Sequence, residues 1–125
     1  MIGIGKLGLC FALTIEKAGY SVLGLDITPS YVQKINDKTF KSDEQGVEEH
    51  LKKSSNFKAT LSLKETVDFS NYLYVVVATP SLDNGRYDHS QVDKLVESLK
   101  KLGKQKETKN IKRNKDVCIN KQIFL

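Results

Sequence analysis

Gly3, Gly5 and Gly8 separate a short apolar stretch, Ile2 and Ile4, from a proline-free segment carrying Leu9, Phe11, Leu13 and Ile15. Gly19 stands where a helix C-cap is expected, and residues 20–25 (Tyr-Ser-Val-Leu-Gly-Leu) read as the next strand. Asp26 closes that strand, about 20 residues beyond the glycines. Strand, glycine turn, helix, strand and acid in this order form the dinucleotide-binding fingerprint, in which each glycine has a mechanical task. The first permits the tight turn, the second lets a pyrophosphate approach the backbone, and the third lets helix and strand pack closely.

Helix and strand signals continue to alternate downstream. Thr28-Pro29 predicts an N-cap followed by proline at the first helical position, opening a helix to about Asn36. A loop over 36–40 and a helix over 44–53 follow, with Gly46 blurring where the latter starts. Residues 57–61 predict a short strand, and Ser62 with Glu65 has the form of a capping box. The run Leu-Tyr-Val-Val-Val-Ala over 73–78 predicts a strand covered on both faces, which ends in Thr79-Pro80 because proline cannot donate to the ladder. Asp83-Asn84-Gly85 predicts a turn, and from Ser90 a helix places Val92, Leu95, Val96, Leu99 and Leu102 on one face.

Right-handed crossovers between parallel strands turn this alternation into a doubly wound α/β sheet of the Rossmann-like kind, truncated at both ends. In such a sheet ligands sit outside the carboxyl ends of the strands, at the switch point. The glycine turn, Asp26 and Thr79-Pro80 are all expected there.

Composition limits the alternatives. A chain of 125 residues buries a real core. No stretch approaches the ~18 apolar residues of a membrane helix, and no signal peptide is apparent, so a cytoplasmic protein is expected. Cys10 and Cys118 are isolated, with no metal or redox pattern around them, and His50 and His89 have no partner carboxylate pattern and are expected at the surface. Nine of the 20 Lys and Arg fall within residues 100–121 against Glu107 and Asp116, a net +7, while eleven against thirteen elsewhere leave −2. The basic balance therefore describes a tail, expected over 108–125 as a disordered or non-native segment beyond a domain spanning 1–107. Two other readings are weighed: polyanion binding by that tail, and a different Rossmann cofactor such as S-adenosylmethionine.

Gly-Ile-Gly-Lys-Leu-Gly-Leu over 3–9, Val-Leu-Gly-Leu-Asp over 22–26, and Val-Val-Val-Ala-Thr-Pro-Ser over 75–81 with Gly-Arg-Tyr-Asp over 85–88 resemble the NAD-binding domain of the UDP-glucose/GDP-mannose dehydrogenases, UDP-glucose dehydrogenase above all. Residues 40–51, with Glu44 and Gly46, carry the likeness further. The resemblance implies two successive NAD-dependent oxidations of a nucleotide sugar's primary alcohol to a carboxylate, through a thiohemiacetal on a cysteine. It implies that Gly3, Gly5, Lys6, Leu7 and Gly8 contact pyrophosphate, that Asp26 binds the adenosine ribose, and that Thr79 and Pro80 border the nicotinamide. Tyr31 stands near the adenosine where the family usually has a basic residue, and Gln45 replaces a usual proline. A carboxylate at 26 with no arginine just after it favours NAD over NADP. Met1 abuts the turn, leaving a first strand of about three residues where five or six are typical. The family's catalytic cysteine, lysine and asparagine, its sugar-binding segments and its oligomerisation elements belong to later domains, so these residues alone are expected to bind NAD without turnover.

Overall fold

The computed structural model describes residues 1–105; the basic tail and Cys118 lie outside the described residues. Helix α1 (Lys6–Lys17) is followed by strand β1 (Val22–Leu25), helices α2 (Pro29–Asn36) and α3 (Val47–Lys53), strand β2 (Phe57–Thr60), and helices α4 (Leu63–Phe69) and α5 (Ser90–Gln105).

β1 and β2 pair in parallel, with Val22 opposite Phe57 and Leu25 opposite Thr60. Ile2 bridges in parallel to Leu25 on one side and to Val75 on the other. The lateral order is therefore β2, β1, the 1–4 segment and the 73–76 segment. In chain order this is 3-2-1-4, one half of the doubly wound arrangement.

The 73–78 run is less regular than its β-branched composition predicts, since only Tyr74 and Val75 have bridge geometry. Its partner is the reason. The Ile2 N–H donates to the Tyr74 carbonyl at 2.7 Å and the Val76 N–H to the Ile2 carbonyl at 2.8 Å, after which Gly3 turns away. Gly3 has φ +84°, which ends the alternation of sides and places Ile4 in the same apolar cluster as Met1.

Two such clusters lie on the sheet. One gathers Met1, Ile4, Val22 and Phe57 with Leu9 and Leu13 of α1, Val32 and Ile35 of α2, and Leu51 of α3. The other gathers Ile2, Leu25, Leu73 and Val75 with Leu99 of α5, and Leu63 and Val67 of α4 pack against it. Helices thus cover both faces, as the apolar strands require.

Local chemistry explains most element boundaries. Pro29 occupies the first turn of α2, after Thr28. Helix α3 begins at Val47, later than the expected 44, because Gly46 adopts the left-handed region at φ 80°. On the outer side of β2 the Asn36 amide acts as a substitute strand: its Nδ2 donates to the Ala59 carbonyl at 2.9 Å, and its Oδ1 accepts the Ala59 N–H at 2.8 Å.

Half of the expected capping box is present. The Ser62 hydroxyl oxygen accepts the Glu65 N–H at 3.2 Å, while the Glu65 carboxylate takes the Thr60 hydroxyl instead of the Ser62 N–H. Ser62→Ala removes that cap and is expected to cost about 1 kcal/mol. Thermal denaturation should show the melting temperature falling by about 4 °C, and an unchanged melt would show that the cap is idle.

Candidate functional site

Parallel pairing brings the carboxyl ends of the 1–4 segment, β1 and the 73–76 segment to one edge of the sheet. The Gly3 N–H donates to the Leu25 carbonyl at 2.9 Å, and a Cβ on Gly3 would meet the Val76 carbonyl oxygen at 2.3 Å. The glycine turn is thereby wedged between the two neighbours. Asp26 follows Leu25 directly, at the same edge as the glycine turn, and Thr79-Pro80 follows the 73–78 run in the chain.

The glycines divide by what constrains them. At Gly8 an added Cβ would lie 2.0 Å from the Gly3 carbonyl oxygen, so α1 rests backbone to backbone on the turn. At Gly5 an added Cβ would meet nothing within 4 Å. Among the described residues no protein contact accounts for glycine there, and the space beside the backbone is open.

Gly5 is the N-cap of α1, and no side chain caps this helix. Among the described residues the N–H groups of Gly5, Lys6, Leu7 and Gly8 have no acceptor. They are the orphan donors of a helix start, and the helix dipole adds partial positive charge at the same place. A pyrophosphate fits this donor set in charge and in hydrogen-bonding sense.

Asp26 is half-buried. Its N–H donates to the Thr60 carbonyl at 3.2 Å, and one carboxylate oxygen, Oδ1, accepts the Thr28 N–H at 3.0 Å. The acid is thus fixed at the strand end on both its backbone and its side chain.

Thr79 and Pro80 are exposed at the base of a small hairpin. Ser81 and Tyr87 form an antiparallel bridge, and the Asp88 N–H donates to the Pro80 carbonyl at 2.8 Å. The expected turn at 83–85 closes this hairpin, with Gly85 at φ +76°. Asp88 accepts the Ser90 N–H at 2.8 Å and so caps α5. That backbone bond, with help from the Ser90 hydroxyl, holds its carboxyl below the usual range.

Two site residues have contacts that local sequence does not announce. The Lys6 ammonium pairs with the Glu44 carboxylate at 2.7 Å, and this partner raises its pKa. Tyr31 sends its hydroxyl to the Ile4 carbonyl at 2.6 Å and packs edge-on against Phe40, with ring centroids 4.9 Å apart. Leu7 is exposed beside the turn. Partners 27 and 38 residues apart obey no helical or strand period, so only the fold reveals them.

Two hollows lie elsewhere on the surface of the described residues. One, lined by Thr14, Tyr20, Phe69, Tyr72 and Tyr74 among others, also touches Met1 and so opens near the amino ends of the strands, away from the glycine turn. The other lies between α1 and α3. Among the described residues no group of three or more His, Cys, Asp and Glu gathers to hold a metal. No helix there is long and apolar enough to cross a membrane.

Comparison with known proteins agrees with this geometry. Residues 1–118 match the model of the UDP-glucose/GDP-mannose dehydrogenase family, NAD binding domain. The chain is 34% identical over 107 residues to the uncharacterized protein MJ1054 of Methanocaldococcus jannaschii, which covers 81% of this chain and 12% of that protein. It is 33% identical to the UDP-N-acetyl-D-mannosamine dehydrogenase of Methanococcus vannielii, over 66% of this chain and 19% of the enzyme. In structure it resembles the GDP-mannose dehydrogenase of Pseudomonas aeruginosa with a TM-score of 0.70 and 26% identity, covering 75% of this chain and 22% of that one. The chain therefore spans less than a quarter of the length of each of these three proteins. With its Rossmann half-sheet, glycine turn and terminal acid, the chain belongs to the UDP-glucose/GDP-mannose dehydrogenase family through the family's NAD-binding domain, and NAD is its cofactor.

Proposed function

We propose that residues 1–107 form the cofactor-binding part of a nucleotide-sugar dehydrogenase, with NAD lying across the edge formed by the glycine turn, Asp26 and Thr79-Pro80. The uncapped start of α1 carries this reading, because among the described residues its four N–H donors, that of Gly5 included, have no acceptor, and no protein contact requires glycine at position 5. Gly3 and Gly8 set the shape of the turn, and Gly5, Lys6 and Leu7 present N–H groups to the pyrophosphate. The second carboxylate oxygen of Asp26 accepts from the adenosine ribose, and its charge repels a 2′-phosphate. Thr79 and Pro80 flank the nicotinamide, and Tyr31 stands on the adenosine side. When bound, NAD supplies a hydride acceptor.

The reaction of the whole enzyme is proposed as oxidation of a nucleotide sugar's primary alcohol to a carboxylate. Relatives named for UDP-N-acetyl-D-mannosamine and for GDP-mannose support the substrate class, and the motifs resemble the UDP-glucose dehydrogenase branch of the family. The 125-residue chain alone is proposed to bind NAD without turning over a UDP-sugar, in keeping with the small share of its relatives that it spans.

Calorimetric titration with NAD tests the site. Saturable binding is expected, weakened at least about tenfold in Asp26→Ala, since a hydrogen bond to a charged group contributes about 1.5–3 kcal/mol. A chain that melts cooperatively yet takes up no NAD would overturn the reading. NADH formation from UDP-glucose by the purified chain would overturn the proposal that it lacks turnover.

A further inference from the structure

We propose that Tyr31 is a positioning residue for the cofactor: its hydroxyl, bonded to the Ile4 carbonyl, fixes the peptide between Ile4 and Gly5 and thereby aims the Gly5 N–H. This inference rests on the cofactor reading above.

The geometry is direct. The Ile4 carbonyl and the Gly5 N–H belong to one planar trans peptide and point in opposite directions. Holding the carbonyl toward Tyr31 at 2.6 Å therefore orients the N–H away from Tyr31. That N–H is one of the four free donors of the turn. Ile4 is fully buried in the core and anchors this peptide on one side; on the other, Gly5 has no side chain to restrain it, and an added Cβ there would find open space.

Tyr31 is itself held. It sits on α2 between Ser30 and the buried Val32, half-buried against the apolar cluster beneath α1 and α2. Its ring meets Phe40 edge-on, with an interplanar angle of 82°. Burial first, then the charge of Asp26, push its hydroxyl up to about 12, and the phenol is a proton donor at physiological pH. Tyr31 also lies five residues after Asp26 on the same connection, so one short piece of chain sets both the acid and the glycine turn. The spacing between the two ends of the site is fixed through α2.

Tyr31→Phe keeps the ring and the Phe40 contact and removes only the donor. NAD affinity by calorimetry is expected to fall about five- to tenfold, the scale of one hydrogen bond. In the cofactor-free protein, 15N relaxation should show the Gly5 and Lys6 order parameters dropping from the rigid range near 0.85 towards 0.6, with those of Lys58 and Thr60 on β2 unchanged. A residue that only filled the core would leave the turn as rigid as before. Affinity within twofold of the parent, or unaltered order parameters at Gly5 and Lys6, would overturn the inference. Parent binding that weakens in Asp26→Ala but not in Tyr31→Phe removes this inference alone, whereas a folded parent that binds no NAD removes the cofactor reading and this inference with it.

Discussion

Gly5→Ala is expected to melt close to the parent chain while losing about 10- to 100-fold in NAD affinity, whereas Gly8→Ala is expected to lose much of its stability before binding can be asked about. The two glycines belong to one motif and differ in what surrounds them. At Gly5 an added methyl meets no protein atom within 4 Å, and its φ of −60° suits alanine. The methyl enters only the space proposed for the pyrophosphate, where overpacking of a close contact costs about 1–3 kcal/mol. At Gly8 the methyl would stand 2.0 Å from the Gly3 carbonyl oxygen and 3.0 Å from its carbon. Both are backbone atoms, so α1 must lift off the turn, at about 3 kcal/mol or more. A melting temperature at least about 10 °C lower is expected for Gly8→Ala. Equal melts for the two variants would show that Gly8 is not the packing glycine. Undiminished NAD binding by Gly5→Ala would place the pyrophosphate elsewhere.

A second large effect concerns pH. The Met1 amino group donates to the Leu23 carbonyl at 2.8 Å inside the sheet, and burial lowers its pKa from 8.0 to about 6. Between those values the unfolded chain binds the proton more readily than the folded one, so stability rises with pH across the window. The penalty for charging the buried amine is complete below pH 6 and absent above pH 8. Two pKa units correspond to about 2–3 kcal/mol, a large share of a small domain's stability. Urea denaturation of the 125-residue chain at pH 5.5 and pH 8.5 should show this gain. Nα-acetylation, which removes the titrating group, should abolish it; the same rise in the acetylated chain would assign it to other groups.

Much of the fold is legible in local sequence because its signals are local. The glycines with Asp26, proline after Thr28, the Ser62 cap and the apolar stripe of α5 each report on a few neighbouring residues, and the structure places an element boundary or a packed face at every one. The 73–78 run shows the limit of composition: its β-branched residues fit a long strand, but a strand extends only as far as its partner, and Gly3 turns that partner away. Helix α3 shows another, since acidic Glu44 suits a helix start and the left-handed backbone at Gly46 forbids one. At the site, the chemistry of Asp26 and the glycines was visible in their order. The attachments of Tyr31 to Ile4 and of Lys6 to Glu44 were not, because they depend on how α2 and the 37–46 loop pack beside the turn.

The Asn36 amide on the outer strand has a bearing on self-association. An exposed strand edge is a template on which another chain can stack, and sheets of this kind risk aggregation wherever that template is left open. By occupying both the donor and the acceptor of Ala59, Asn36 closes β2 at its centre, and α2 stands over the same edge. A strand from a neighbouring molecule would first have to displace its own mimic, so this side of the sheet is guarded against fibrous growth by Asn36 together with the helix that carries it.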